Sequence, residues 1–391
     1  MKTENQIPTI GFLSTYPPRE CGIATFTQDL VKELKRQKLL KPAIFAVSDK
    51  NYNYGGDVVV ELPQQDRKSY AEIAESINRS GIQALIVEHE YGIYGGDCGE
   101  YLLDLLDRVE KPVVATLHTV LPSPSEKQKQ VLQALCKKSR KVVTMASNTR
   151  EILHRVYGVR YEKVEVIPHG VPEFDLPPRE ELKKEAHLEG RTIVSTFGLI
   201  SPGKGLEYGI EAVAKAVVKH PDILYFILGQ THPTVKKQDG ETYRESLEKL
   251  VDDRSLRQNV RFVNKYLTKE ELVRYLKLSD LYMTPYLGKD QAVSGTLAYA
   301  VGCGRVVVST PYLYAQEMLA DGRGMFAKFR DADSLGACIC RLAEHPEEKA
   351  AMERKALQLG REMTWQRVAE RYMAVLSGAI CGSQEKSGSN G

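Results

Sequence analysis

The chain has 391 residues, more than one domain usually contains, so its length predicts two or three domains. Hydrophobic residues make up 42% and charged residues 27%, proportions that are ordinary for a globular protein. The formal net charge of +3 is close to neutral for this length and argues against a nucleic-acid partner.

The cysteines and the apolar runs of the sequence indicate the cellular compartment in which we expect the protein. The seven cysteines are scattered without a C-x-x-C pair, which argues against a disulfide framework or a zinc site. Residues 1–8 lack the apolar stretch of a signal peptide, and no run approaches the ~20 apolar residues that span a bilayer. We therefore expect a cytoplasmic protein.

Short β-branched runs alternate with helical patterns along the first half, as is typical of parallel sheets with crossover helices. Strands are predicted at Thr9–Ser14, Ala43–Val47, Ala84–Glu88, Val113–His118, Val142–Ala146 and Val164–Ile167. Helices are predicted near Ile23–Arg36, Tyr70–Asn78, Glu100–Arg108, Glu126–Lys138 and Thr149–Tyr157.

Four prolines in Pro168–Pro178 predict an interdomain linker, after which the alternation resumes. Strands are predicted at Ile193–Gly198, Leu224–Leu228, Val260–Val263, Leu281–Thr284, Val306–Ser309 and Met325–Phe329. Helices are predicted near Leu206–Lys219, Tyr243–Asp252, Lys269–Lys277, Thr296–Val301 and Ala315–Leu319, and the chain is helical from Ser334 with a break near Thr364.

The pattern predicts an α/β protein with two Rossmann-like, doubly wound domains facing a cleft. Residues 1–172 would form the first domain together with a crossing helix over residues 364–381. Residues 188–363 would form the second domain, and residues 382–391 a disordered tail. Ligands of such sheets lie at the carboxyl ends of the strands, so the loops there are the candidate sites.

Three of these loops join a strand to a helix through small residues. Gly22 closes the first, where the backbone can approach a ligand and the helix N-terminus favours an anion; a purely structural turn is an equal alternative. Lys204 lies in the second, Gly198–Gly205, where it could bind a phosphate or remain a solvated lysine. The third, Asp290–Thr296, offers N–H groups and hydroxyls to a diphosphate, and Ser294 or Thr296 could also cap the helix.

Two strand ends in the first half carry polar residues. His118 closes one predicted strand, where it is either a site residue or a satisfied structural histidine. The neighbouring strand ends in Glu88–Gly96, whose carboxylates could bind sugar hydroxyls or be solvated. No second cluster has the spacing of metal ligands, so no metal is expected.

Several motifs, in this order and spacing, resemble the family 4 glycosyltransferases over nearly the whole chain. They are the Lys204–Gly205 turn, Ile167–Val171, Ala300-x-Gly302-Cys303-Gly304, and Trp365-x-x-x-Ala369-x-x-Tyr372. The resemblance implies the GT-B fold, a C-terminal helix that crosses back to the first domain, and transfer of a hexosyl group with retention of configuration. The implied donor is a nucleotide-sugar, the implied acceptor a glycan or another hydroxyl compound, and no metal cofactor is required.

The resemblance also implies roles for single residues. Lys204 would neutralise the diphosphate leaving group, and His118 would lie beside the transferring sugar, as the catalytic pair. The donor residues would be Gly22, Gly198, Lys204, Tyr266, Gln291, Val293, Ser294, Gly295, Thr296 and Tyr299. The acceptor residues would be Arg19, Glu90 and Tyr91.

The sequence departs from the family at three positions. Leu199 stands where the family usually has an arginine, and Gln291 and Tyr299 replace two glutamates that contact the donor sugar and the ribose. GDP-mannose, UDP-glucose and UDP-N-acetylglucosamine all remain open as donors. The alternatives are a sugar phosphorylase or epimerase on the same architecture, and a non-catalytic nucleotide-sugar binding protein.

A basic amphipathic pattern over Glu126–Lys141 leaves one further choice open. Six basic residues accompany Val131, Leu132, Leu135 and Cys136 there. Such a helix could contact the inner face of a membrane weakly, or simply cover its own sheet.

Overall fold

A computed structural model describes residues 7–387, with only the backbone described for residues 382–387. The chain divides into two compact units. The first takes the residues up to Gly170 and those from Trp365 onward, and the second is Val171–Thr364. The predicted linker thus spans the point at which the chain passes from one unit to the other.

The first unit is built on a seven-stranded parallel sheet with the order β3-β2-β1-β4-β5-β6-β7. Its strands are β1 (Thr9–Ser14), β2 (Lys41–Ser48), β3 (Val58–Pro63), β4 (Ala84–His89), β5 (Val113–Leu117), β6 (Lys141–Thr144) and β7 (Val164–Val166). Its first five helices are α1 (Gly22–Arg36), α2 (Arg67–Arg79), α3 (Tyr101–Leu106), α4 (Glu126–Lys138) and α5 (Ser147–Tyr157).

The second unit has a six-stranded parallel sheet with the order β10-β9-β8-β11-β12-β13. Its strands are β8 (Thr192–Phe197), β9 (Ile223–Leu228), β10 (Val260–Val263), β11 (Leu281–Thr284), β12 (Val306–Ser309) and β13 (Gly324–Phe326). Its helices are α6 (Arg179–Glu185), α7 (Leu206–Ala216), α8 (Pro233–Asp239), α9 (Thr242–Asp253), α10 (Lys269–Leu278), α11 (Gly295–Gly302), α12 (Leu313–Met318), α13 (Ala332–Glu344) and α14 (Pro346–Gly360).

Each sheet reverses its winding direction at one point. In the first unit β1 lies between β2 and β4, and in the second β8 lies between β9 and β11. In open α/β sheets a ligand crevice forms outside the carboxyl ends of the strands at such a reversal. The loops after β1 and β4, and those after β8 and β11, are therefore the best-placed loops of their units.

The last helix, α15 (Trp365–Ser387), belongs to the first unit. The Trp365 ring lies 5.2 Å from that of Phe26 on α1, and the Tyr372 hydroxyl is 3.1 Å from that of Thr116 on β5. The helix continues past Gly382, and the disordered tail over residues 382–391 stays a prediction. Residues 388–391 lie outside the described part.

The apolar face of α4 is part of the core of the first unit. Its members are at most 3% exposed: Val131, Leu132, Leu135 and Cys136. An apolar face that packs on its own sheet is not available to lipid, which favours the alternative in which α4 simply covers the sheet.

A buried carboxylate joins the start of the second unit to its sheet. Asp280, just before β11, accepts hydrogen bonds from the Lys183 ammonium and the Ile193 amide, both at 2.8 Å. Arg179 and Lys349 lie 3.3 and 3.2 Å from its other oxygen. Burial by itself would raise the pKa of Asp280, but Lys349, Lys183 and the Ile193 amide together lower it below its usual value.

We expect Asp280→Asn to lower the free energy of unfolding by about 2 kcal/mol at neutral pH, because hydrogen bonds to a charged group are lost. A folded-state pKa below the unfolded one means that Asp280 stabilises the fold above pH ~3.8, and that this contribution is lost as the pH falls through the folded pKa. Urea unfolding at pH 7 and at successively lower pH would test this. A difference between wild type and variant that stays constant down to pH 2 would contradict it.

Candidate active site

The loop after β8 brings Lys204 to the carboxyl edge of the second sheet. Pro202–Lys204 form one 3₁₀ turn, and α7 begins directly after Gly205. Gly205 has a φ of +60°, and a Cβ there would lie 2.3 Å from the carbonyl oxygen of Pro285. Only glycine fits such a close approach in this conformation, so the Lys204 turn is held against the loop after β11.

A chain of hydrogen bonds links Lys204 to the start of α11. Its Nζ donates to the Tyr286 hydroxyl at 2.8 Å, and the ammonium lies 3.9 Å from the centre of that ring. The Tyr286 hydroxyl is 2.8 Å from Thr296 Oγ1, which is 3.0 Å from Ser294 Oγ. Ser294 also caps α11 by accepting from the Leu297 amide. Three predicted donor residues thus converge.

The positive charge of Lys204 has no counter-ion in the part of the chain that the structure describes. The ammonium hydrogen-bonds to Tyr286 and forms no ion pair with a described carboxylate. Burial lowers the pKa of nearby His232, and the Lys204 charge lowers it further. A half-buried ammonium beside two helix N-termini, α7 and α11, is an arrangement that favours an anion.

Gly198 lies within the same group of residues. A Cβ there would be 3.3 Å from Thr296 Cγ2 and 3.8 Å from Lys204 Nζ, and φ is +132°. The glycine therefore leaves open the space between the lysine and the α11 N-terminus, where a ligand group can approach the backbone.

The remaining predicted donor residues occupy different surroundings. Gln291 donates from its amide to the carbonyl of Val293, so its side chain folds onto its own loop, and Gly295 begins α11. Tyr299 is 6% exposed, with its ring 6.2 Å from that of Phe197. Tyr266 is 49% exposed and follows β10, which β9 separates from β8.

In the first unit His118 pairs with a buried carboxylate. His118 Nε2 lies 2.8 Å from Glu88 Oε2; the histidine side chain is 10% exposed and that of Glu88 is fully buried. The Phe26 ring of α1 meets the His118 ring edge-on at 4.9 Å. Burial raises the pKa of Glu88, while the hydrogen bond and the charge of His118 act against this shift.

The other predicted residues of the first unit surround the same sheet edge. Gly22 begins α1, and a Cβ there would meet nothing within 4 Å. Arg19 is held by the Val47 carbonyl and by Gln64 Oε1. Glu90 accepts from the Gly92 amide within its own loop, and the largely buried Tyr91 donates to the Gln128 carbonyl.

Two residues of these networks are not singled out by the sequence. Tyr286 follows β11 by two positions, and Glu88 lies on β4 within a segment predicted only as a whole. Each lies near a strand end beside the winding reversal. A polar side chain in an apolar run at this position could therefore have indicated a site residue. The buried His89 could equally have been chosen, but burial lowers its pKa to about 3.

Comparison with known proteins identifies the family. The family model described as "Glycosyl transferases group 1" matches residues 178–359, and the one described as "Glycosyltransferase Family 4" matches residues 21–173. The chain belongs to the family 4 glycosyltransferases. The two matched regions cover most of both units, and the chain is therefore an enzyme of the glycosyltransferase class.

Individual relatives are distant but extend over most of the chain. Phosphatidyl-myo-inositol mannosyltransferase of Mycolicibacterium smegmatis is 24% identical over 86% of this chain and 84% of its own. Anabaena HepE in complex with UDP and glucose superimposes with a TM-score of 0.74 at 15% identity, over 95% of this chain and 100% of that one. Sucrose-phosphate synthase of Thermosynechococcus elongatus gives 0.75 at 16% identity, over 96% and 100%.

These likenesses confirm the predicted GT-B fold of this glycosyltransferase. Within the described residues no helix is long and apolar enough to cross a membrane. No group of three His, Cys, Asp or Glu side chains among them could hold a metal ion. Independence from metal stays a prediction.

Proposed function

We propose that this glycosyltransferase moves a hexosyl group, mannosyl or glucosyl, from a nucleoside diphosphate sugar to a hydroxyl acceptor, with retention of anomeric configuration. The single observation that carries the proposal is the ammonium of Lys204, which lies between two helix N-termini and has no described counter-ion. A diphosphate supplies the charge that this arrangement favours.

The relatives support the same substrate class. The Mycolicibacterium smegmatis relative is named as a mannosyltransferase, and the structure of Anabaena HepE is a complex with UDP and glucose. The predicted roles of Gln291 and Tyr299 leave the choice of sugar open, because neither side chain is the glutamate that the family usually presents.

Charge development explains how these residues would act. When the bond between the anomeric carbon and the phosphate oxygen breaks, negative charge grows on the leaving diphosphate. Fixed donors placed around that charge lower the barrier without reorganising, and this is often the largest single contribution to catalysis. We assign this role to Lys204, with the hydroxyls of Thr296 and Ser294 beside it.

The proton of the acceptor also needs a destination. In the proposed reaction the acceptor oxygen bonds to the anomeric carbon, and its proton passes to the departing phosphate oxygen. The products are the glycoside and the nucleoside diphosphate, so the reaction balances without a protein nucleophile. His118 is assigned to contact the transferring sugar.

Ligand-induced stabilisation tests the donor class. We expect one nucleoside diphosphate, and nucleotide-sugars that contain it, to raise Tm, since a ligand at one hundred times its Kd adds about 2.7 kcal/mol. A panel of GDP, UDP, GDP-mannose, UDP-glucose and UDP-N-acetylglucosamine, with inorganic phosphate as control, identifies the donor. If phosphate alone produced the whole shift and no nucleotide added to it, the proposal would fail.

A further inference from the structure

Glu88 is a fully buried carboxylate to which neither the fold nor the family resemblance assigns a task. It is the last residue but one of the apolar strand β4, in which every residue is buried. Placing a carboxyl group in such surroundings is costly unless it is hydrogen-bonded, as the raised pKa of Glu88 reflects. The partner that it has is His118 Nε2, at 2.8 Å.

The pair determines which ring nitrogen of His118 is available. Nε2 is occupied by the carboxyl group, and Nδ1 receives no hydrogen bond from the residues that the structure describes. The Phe26 ring packs edge-on against the imidazole and limits its rotation. The imidazole is therefore held by one edge, and its other edge is left for a ligand.

Two further polar side chains, from parts of the chain far apart in the sequence, lie near Glu88. Thr116 lies directly opposite Glu88 on the adjacent strand β5. The Thr116 hydroxyl is 3.1 Å from the hydroxyl of Tyr372, which is almost fully buried on α15. The last helix thus brings the Tyr372 hydroxyl to the polar side chains of Thr116, Glu88 and His118.

We infer that Glu88 is a positioning residue for glycosyl transfer: it orients His118 so that Nδ1 faces the transferring sugar, and Thr116 and Tyr372 complete the polar surroundings of Glu88. The inference rests on the proposed role of His118. A catalytic group must be held within fractions of an ångström, and misplacement by about 1 Å can cost about 100-fold in rate.

A double-mutant cycle tests whether Glu88 acts through His118. We expect Glu88→Gln to lower kcat about 10- to 100-fold with little change in the KM of the donor, since the amide keeps the shape but not the charge of the carboxylate. In the His118→Ala background the same substitution should cost no more than about 2-fold, because the group that Glu88 orients is already gone.

Ser139→Ala is the matched control, because it removes a buried side-chain hydrogen bond in the same unit, to the Leu135 carbonyl at the end of α4. It should leave kcat unchanged in both backgrounds.

If Glu88→Gln does not fold, Tyr372→Phe, which removes one hydroxyl, takes its place in the cycle. We expect it to lower kcat about 3-fold to 10-fold, and we expect this loss to disappear in the His118→Ala background.

The outcomes separate the two ideas. Equal losses in both backgrounds would overturn the positioning role of Glu88 while leaving the proposed transfer intact. Wild-type kcat in His118→Ala itself would overturn the role of His118 and this inference with it. Losses in kcat for Glu88→Gln and Tyr372→Phe that disappear in the His118→Ala background, with Ser139→Ala unchanged in both backgrounds, support the positioning role.

Discussion

Lys204→Ala is expected to lower kcat about 100- to 1,000-fold, the cost of removing one preorganised donor from a developing anion. The side chain ends beside Tyr286 and the α11 N-terminus, where the proposed leaving group develops its charge. Steady-state kinetics with the donor identified by thermal shift would measure the effect, and the affinity for the nucleoside diphosphate should fall as well.

Lys215→Ala is the matched control for this change. Lys215 lies on α7, the helix that begins directly after the Lys204 turn, but it pairs with Asp333 at the surface. Surface ion pairs contribute about 0–1 kcal/mol, so this variant should keep wild-type kcat and Tm. Wild-type turnover in Lys204→Ala, with nucleotide binding unaffected, would remove Lys204 from the proposed mechanism.

Gly205→Ala should damage both stability and activity. The left-handed conformation costs an alanine about 1–2 kcal/mol, and its Cβ would overlap the Pro285 carbonyl oxygen at 2.3 Å. We expect a loss of about 3 kcal/mol in the free energy of unfolding, or roughly 6–12 °C in Tm for a unit of this size. Relief of the overlap would displace Lys204, so kcat should fall about 100-fold.

Gly203→Ala provides the comparison two residues earlier in the same turn. Its added Cβ would meet nothing within 4 Å, and its φ is not in the left-handed region. Calorimetry and kinetics on the two variants should therefore show a loss at position 205 alone. Equal behaviour of both would mean that the turn tolerates side chains and that the fit against Pro285 is not required.

The alternating pattern of the sequence was enough to predict most of the fold. Strand β1 has the predicted bounds, and helix α4 does too, because Ser125 and Gln128 form a capping box that marks its start. Strand β3 was missed. It lies at the edge of the sheet with alternate residues exposed, and Val59 is apolar yet 55% exposed, so its pattern lacks the continuous burial that marked the other strands.

Shorter elements explain the remaining misses. Helices α6 and α8 have seven residues each, too few for an apolar period to be recognised, and α8 is capped by His232 rather than by one of the usual residues. The helix that was predicted to begin at Ser334 is divided into two helices, α13 and α14, by a break at His345. Pro346 explains the break, because proline favours the first turn of a new helix.

The candidate site was predictable where single loops carry it and not where several elements combine. Lys204 and Ser294 each follow a strand and precede a helix, and Thr296 lies in the first turn of the helix after Ser294, so each follows a local pattern. The contact between Lys204 and Tyr286 joins positions 82 residues apart, and that between Thr116 and Tyr372 joins positions 256 apart. Such pairings depend on strand order, which periodicity does not specify.

Proton NMR of the anomeric signals during turnover distinguishes retaining glycosyl transfer from every alternative reaction considered for this chain. With the donor and a hydroxyl acceptor present, we expect that donor is consumed only with the enzyme and that nucleoside diphosphate is released in equal amount. We also expect the new glycoside to have the anomeric configuration of the donor. Lys204→Ala should show the same product at a greatly reduced rate. A product of inverted configuration, or release of sugar 1-phosphate without any new glycoside, would contradict the account.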